Sequence, residues 1–456
     1  EQIADYGFTC IQLMPKQPYP SYNIHDFWDI DTSYGNKDEI KELVQKAHKL
    51  GIKVILDILL HGVLDKEIIK IAADGVRSGP FAALITSETG DSFNADVKDW
   101  HNYLIAWSRH ILDFEKYWYE GSPAVSPLIA QHPDWFYTDS NGVVQGVYTK
   151  AFDARSTSWQ DYFISACQFL MNELNIDGFR FDLTTALYTS NSAFNSSLMA
   201  AIGADSVLRN FKMIAEPWDI SRYSLGDFPH PWREWNDRYR DSVRQFWLGD
   251  LARGYGEGVS DIADGISGSS DVFFYRGPTS SINFVTAHDG FTLTDLVTYS
   301  QKRNDANRED NRDGATENRS WNMGIEGPTD DPQVNALRHS LKKSIMATLL
   351  LSAGVPMITM GDELCRTQAG SNNAFSMPRD MTADIADSPE TFYFIGDCQE
   401  KCKTVLTAAN FYFLPEIVFP SANEMSALSY KKFINNDFED VAYFEPFYLK
   451  DFLITK

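Results

Sequence analysis

The chain has 456 residues, 43% of them hydrophobic, enough to bury a large core, which excludes a disordered or fibrous class. Asp and Glu number 63 against 40 Lys and Arg, a formal charge of −23; with no basic patch in the sequence, nucleic acid is excluded as a partner. Five scattered cysteines, Cys10, Cys167, Cys365, Cys398 and Cys402, are odd in number and lack CxxC spacing, which argues against a disulfide framework or a zinc site.

In chain order, short apolar β-rich runs ending in polar residues recur at 9–14, 53–59, 178–182, 212–216, 282–289 and 356–363. Helical patterns at 37–50 and 159–174 alternate with them, which predicts βα units around a parallel sheet, and the length suits an eight-stranded (β/α)8 barrel. The text opens inside a helical pattern at Glu1 and shows no charged-then-apolar leader, which leaves room for an upstream segment. A cytoplasmic location is expected. The longest apolar stretch, 345–360, is broken by Ser352, Gly354 and Pro356 and reads as a helix running into a strand, so no membrane partner is expected.

The interval between the second and third runs is too long for an ordinary βα loop and predicts a subdomain at about 63–150, inserted after strand 3 of the barrel. The polar string at 303–321 reads as a long ordered loop over the barrel mouth. Past residue 377 the pattern changes to β-like fragments, at 392–395 and 442–446, so 1–377 is expected to form the barrel and 378–456 a small β-sandwich.

In barrels of this kind chemistry sits at the carboxyl ends of the strands. The polar residues that fall there are Asp57, Arg180 with Asp182, Glu216, His288 with Asp289, and Asp362 with Glu363. Four strings carry most of them: VILDILLHG (54–62), DGFRFDLTT (177–185), MIAEPWD (213–219) and NFVTAHDG (283–290). Each alone is as often a helix cap or salt-bridge partner as a catalyst. In this order and spacing they resemble the four signature regions of glycoside hydrolase family 13, the α-amylase family. SAGVPMITMGDE (352–363) resembles that family's last barrel strand.

The resemblance implies a retaining α-glucan hydrolase with Asp182 as nucleophile, Glu216 as general acid/base and Asp289 as the carboxylate that stabilises the transition state. Elementary chemistry agrees. Residues two apart on a strand share a face, so Arg180 and Asp182 should project together, the guanidinium keeping the carboxylate ionised and aimed. Retention needs a second, protonated carboxyl about 5 Å from the nucleophile, and Glu216 ends the next predicted strand. The resemblance further implies sugar contacts for Tyr22, Asp57, Arg180, Trp218 and His288. Tyr22 reads equally well as a core residue, and Trp218 and Trp321 as loop anchors.

Over about 175–375 the chain resembles glycogen-debranching and isoamylase-type enzymes, in AEPWD, REWNDRYRDSVRQFW (233–247) and NRDGATENRSWNMGIEG (311–327). Before 175 it resembles α-amylase-type relatives. Hydrolysis of α-1,6 branch linkages in a glycogen-like polysaccharide is therefore the first expectation, α-1,4 hydrolysis or glucan transfer the second, and a catalytically silent glucan-binding protein the third. No organic cofactor is implied, and although some relatives carry a structural calcium, no ligand cluster in this sequence identifies one. One departure stands out. Relatives close the strand of Asp57 with Asn-His, the histidine five positions after the aspartate, whereas here Gly62 holds that place and His61 the one before it, so His61 is expected not to take the usual sugar contact.

Overall fold

A computed structural model describes residues 2–16, 27–30, 35–59, 131–136, 152–187, 196–219, 222–254, 256, 258–305, 311–373, 392–394 and 411–413. Tyr22, His61, most of the expected insertion at 63–150 and the fragment at 442–446 lie outside the described residues. The chain divides into two units, Glu1–Ser376 with Ile454–Lys456, and Met377–Leu453. In the second, β8 (Phe392–Phe394) pairs in parallel with β9 (Phe411–Phe413).

Among the described residues the first unit carries seven strands: β1 (Cys10–Leu13), β2 (Lys53–Leu59), β3 (Gly178–Asp182), β4 (Lys212–Ala215), β5 (Arg233–Asn236), β6 (Ser281–Phe284) and β7 (Val355–Met357). All pair in parallel in sequence order and curl into a half-barrel, the arrangement of a (β/α)8 barrel. The expected strands are present, with 282–289 shortened to Ser281–Phe284 and 356–363 to Val355–Met357, because each ends where its chain turns to serve the barrel mouth. Strand β5 was missed. Its four residues, REWN, carry too little apolar run to stand out from the helix that follows at once.

Alternation assigns the strand faces. Ile55, Ile214, Trp235, Ile282 and Phe284 form one buried cluster inside the curl. Val54, Leu56, Ile58, Phe179, Phe181, Met213 and Ala215 join a second, in which they pack against α1 (Lys37–Lys49) and α2 (Thr157–Leu174) through Val44, Phe163 and Leu170. Both helices are specified locally. Asn36 and Glu39 make a reciprocal capping box on α1, each side chain taking the other's backbone N–H at 3.0 Å, and Ser156 caps α2, which ends on Asn175 in the left-handed conformation. Beyond β5 come α3 (Asp237–Arg244) and, ahead of β7, α4 (Pro332–Leu351), which starts on a capping Asp331 and a proline in its first turn, as the helix-into-strand reading required. Gly178 has no room for a side chain: a Cβ there would lie 2.2 Å from the Lys212 carbonyl, so this glycine lets β3 and β4 approach.

Candidate active site

The register of β2, β3 and β4 places Asp57 beside Arg180 and Arg180 beside Ile214, and the Glu216 N–H donates to the Phe181 carbonyl at 3.1 Å, continuing the ladder one step past β4. Asp182 and Glu216 thus stand side by side at the carboxyl ends of neighbouring strands. The Arg180 guanidinium, with no exposed surface, connects them. Its Nη1 donates to both Asp57 oxygens at 3.0 and 2.8 Å and to Asp182 Oδ1 at 2.8 Å, while Nη2 lies 3.0 Å from Glu216 Oε2. Three carboxyl groups share one cation in a layer sealed from water.

The turn after β3 completes the arrangement. Leu183 has φ +41°, a costly left-handed conformation for a leucine, and in it donates its N–H to Glu216 Oε2 at 2.8 Å. Thr184 clamps the same corner: its hydroxyl donates to the Phe181 carbonyl at 2.6 Å and accepts from the Glu216 N–H at 3.0 Å. Oxygen Oε2 of Glu216 thus accepts from the Leu183 N–H and lies 3.0 Å from Arg180 Nη2, which leaves Oε1 as the oxygen suited to hold a proton.

Electrostatics follow from burial. Removal from water pushes Glu216 up to about 8; Arg180 pulls it down and Asp182 pushes it up. Burial also raises Asp182, to about 6, opposed by Arg180 and by a hydrogen bond from Glu216, and reinforced by Asp57. One guanidinium cannot neutralise three buried carboxylates, so burial and mutual repulsion favour a proton retained by the Asp182–Glu216 pair, with Glu216 raised the further of the two.

Asp289 differs. Its side chain is 67% exposed, standing open at the mouth with Nδ1 of His288 3.7 Å away. Crowding by protein raises it, but His288, Arg180 and Arg240 outweigh that and hold it below the usual carboxylate range. His288 is lowered by desolvation and is neutral at pH 7. The backbone behind Asp289 is fixed by loop contacts: the Gly290 N–H donates to the Asn372 carbonyl at 2.8 Å, and buried Arg244 reaches the carbonyls of Val285 at 2.8 Å and Asn318 at 3.4 Å. Asn372 also binds Asn304 and Asn318 through side chains, so the described part of the 303–321 string is held by an amide network, as the ordered-loop reading predicted.

Trp218 is half-buried against the cluster inside the curl, and Trp321 packs on helix α4's side of the core. Asp362, one of the strand-end carboxyls, is buried and bonded to the Thr286 hydroxyl and the Leu293 N–H, which makes it a brace between β6 and β7. Sequence reasoning missed Trp235, the Leu183 amide and Thr184; the alternation of REWN was the only available signal for the first. A polar cavity of about 430 Å³ lined by Arg238, Asp241, Gln245 and Arg319 lies apart from the carboxyl pair, and its arginines are occupied, Arg238 by Asp271 at 2.8 Å and Arg319 by Asp241 at 2.9 Å. Among the described residues, no group of three or more His, Cys, Asp or Glu is placed to hold a metal ion.

Residues 1–108 match the family described as alpha amylase, catalytic domain. The parallel sheet and the ordered signature strings of the sequence agree with that match. The chain is 36% identical over 409 residues to a glycogen operon protein GlgX homolog of Mycobacterium tuberculosis, covering 84% of this chain and 49% of that protein. It is 33% identical over 408 residues to a glycogen debranching enzyme of Pectobacterium atrosepticum, covering 84% and 53%. The chain spans about half the length of these relatives. In fold it is similar to a pullulanase from Bacillus acidopullulyticus, with TM-score 0.53 and 20% identity over 82% of this chain and 39% of that one. Among the described residues no helix is long and apolar enough to cross a membrane.

Proposed function

We propose that the chain is a retaining glycoside hydrolase that cuts α-1,6 branch linkages in a glycogen-like α-glucan. The observation that carries the chemistry is the Arg180-bridged pair, a buried Glu216 holding a proton beside a lower-pKa Asp182. Asp182 attacks the anomeric carbon while Glu216 gives its proton to the departing glycosidic oxygen, leaving a glycosyl-aspartate. Glu216, now a carboxylate, takes a proton from water as that water attacks the same carbon and frees Asp182. Both carboxyls pair with one guanidinium, Asp182 Oδ1 2.8 Å from Nη1 and Glu216 Oε2 3.0 Å from Nη2, and this shared partner favours the close spacing of a retaining pair over the roughly 6.5–9.5 Å that inversion requires. In this reading Asp289 and His288 face sugar hydroxyls, Asp57 and Arg180 hold the nucleophile, and Tyr22 and Trp218 supply aromatic contacts.

The relatives named for glycogen debranching and the glycogen operon support the branch linkage, and a cytoplasmic location goes with that reading. The α-amylase match over 1–108 favours the second reading, α-1,4 hydrolysis or transfer. We read 1–377 as the catalytic barrel with its insertion at about 63–150, and 378–456 as a separate small β region, supported by the pairing of β8 with β9. Reducing-sugar release from glycogen, pullulan and amylose tests the substrate. Branched glucan or pullulan should be cut faster than amylose, and the first product should carry the α configuration by proton NMR. A faster rate on amylose would transfer the chain to the α-1,4 reading, and a β-anomer would refute the covalent intermediate.

A further inference from the structure

We infer that Trp235 is a positioning residue for the carboxyl pair: its indole face sets the plane of the Arg180 guanidinium, so that Nη1 serves Asp57 and Asp182 while Nη2 meets Glu216. The inference rests on the reading of Asp182 and Glu216 as nucleophile and acid. A guanidinium is planar, and its edges and faces recognise different things. At Arg180 the Asp57 and Asp182 carboxylates accept from the Nη1 edge at 2.8 to 3.0 Å, Glu216 Oε2 lies 3.0 Å from Nη2, and a face lies on Trp235, with Cζ 4.3 Å from the ring. With Arg180 wholly buried, bulk water does not compete for that face, and the attraction of the cation to the ring's electron density is undiluted.

The ring is itself immobilised. Trp235 points inward from β5 in register with Ile282, is 3% exposed, and packs on Phe284 with centroids 5.4 Å apart. On another side it meets the His288 ring at 5.9 Å, so one indole touches both the residue that binds Asp182 and the neighbour of Asp289. Its Nε1 is buried and finds no hydrogen-bond partner among the described residues. A buried N–H without a partner is a cost that phenylalanine or leucine would avoid while filling the same space. What tryptophan offers in exchange is the strongest face for a cation of any side chain.

The test compares Trp235→Leu, which fills space without a face, with Trp235→Phe, which keeps a weaker one, both in the full chain. Two readouts are needed: kcat and KM on glycogen across pH, and the ionisation of Glu216 without substrate, followed by carboxyl infrared difference spectra against Glu216→Gln. In Trp235→Leu we expect kcat to fall roughly tenfold to a hundredfold with KM little changed. Glu216 should titrate higher than in the parent chain, and the acid limb of the rate profile should move up with Asp182, because a guanidinium out of plane lowers both less. Trp235→Phe should lie between. Equal loss in both variants, or an unmoved Glu216 titration, would overturn the proposal and leave Trp235 as packing alone. If Trp235→Leu does not fold, the Phe variant decides by itself: a small upward shift is expected, and none refutes it. The infrared arm needs no turnover, so it still decides about Trp235 should the chain cut no glucan, an outcome that would defeat the proposed substrate instead.

Discussion

The string DGFRFD contains two aspartates five residues apart, and the strand between them separates two environments. Asp177, just ahead of β3, is at the closed end of the barrel. It accepts from the Val54 N–H at 2.8 Å, lies 2.7 Å from Lys53 Nζ and is bonded to His48 Nε2 at 2.7 Å. Asp182, at the open end, shares Arg180 with two other carboxyls. Burial raises Asp177, but Lys53, Val54 and His48 outweigh it, so its carboxyl is lowered and ionised at any ordinary pH. At Asp182 burial prevails and the carboxyl is raised. One residue type at the two ends of one strand is thus lowered where cations outnumber carboxylates and raised where carboxylates outnumber cations, which fits a stabilising role for Asp177 and the proposed chemical role for Asp182.

The largest expected effects fall at the open end. Asp182→Asn and Glu216→Gln should each lower glucan hydrolysis by on the order of 10⁴-fold or more while circular dichroism shows an intact fold. Near-parental activity in either would end the assignment. Asp177→Ala should do the reverse, losing about 1–3 kcal/mol in denaturant unfolding with kcat per folded molecule unchanged, because it strips a backbone N–H and two side chains of their acceptor. A large loss of kcat at full stability would erase the contrast between the two ends.

The same contrast has a pH signature. Glu216 has a folded pKa above its unfolded one, so its contribution to stability is present at low pH and is lost as pH rises from about 4.5 through about 8. Asp177, lowered on folding, contributes above its unfolded pKa and loses that contribution only in acid. Thermal unfolding of Glu216→Gln should therefore match the parent at pH 5 and exceed it at pH 9, and equal melting at both would show that Glu216 is not protonated at neutrality. The smallest effect is expected at His61→Ala, a change in kcat/KM of less than about tenfold, since the sequence carries this histidine one position short of the place its relatives use. A loss of a hundredfold or more with the fold intact would show the imidazole reaching the sugar.

Much of this was legible without coordinates. Six of the seven described strands of the sheet were visible as apolar runs, because a parallel strand covered on both faces must be apolar nearly throughout, and β5 escaped because REWN has only one such residue in four. Asp57, Asp182 and Glu216, the proposed site, were legible as polar residues at or just past the ends of apolar runs. Asp362 met the same description and proved a brace, since its bonds to Thr286 and Leu293 come from chain about 70 residues away.

The sequence by itself determined the secondary-structure order, the inward face of each strand and the identity of the residues at the barrel mouth, all set by periods of two and 3.6 that a neighbour or two can fix. Only the tertiary structure decided which carboxyl keeps a proton, that Leu183 is held with φ +41° to serve Glu216, and that Trp235 underlies Arg180. The reason is that ionisation and hydrogen bonding in a buried layer depend on groups remote in sequence. Asp57 and Arg180 are 123 residues apart along the chain and 2.8 Å apart in space, and no local pattern encodes that distance.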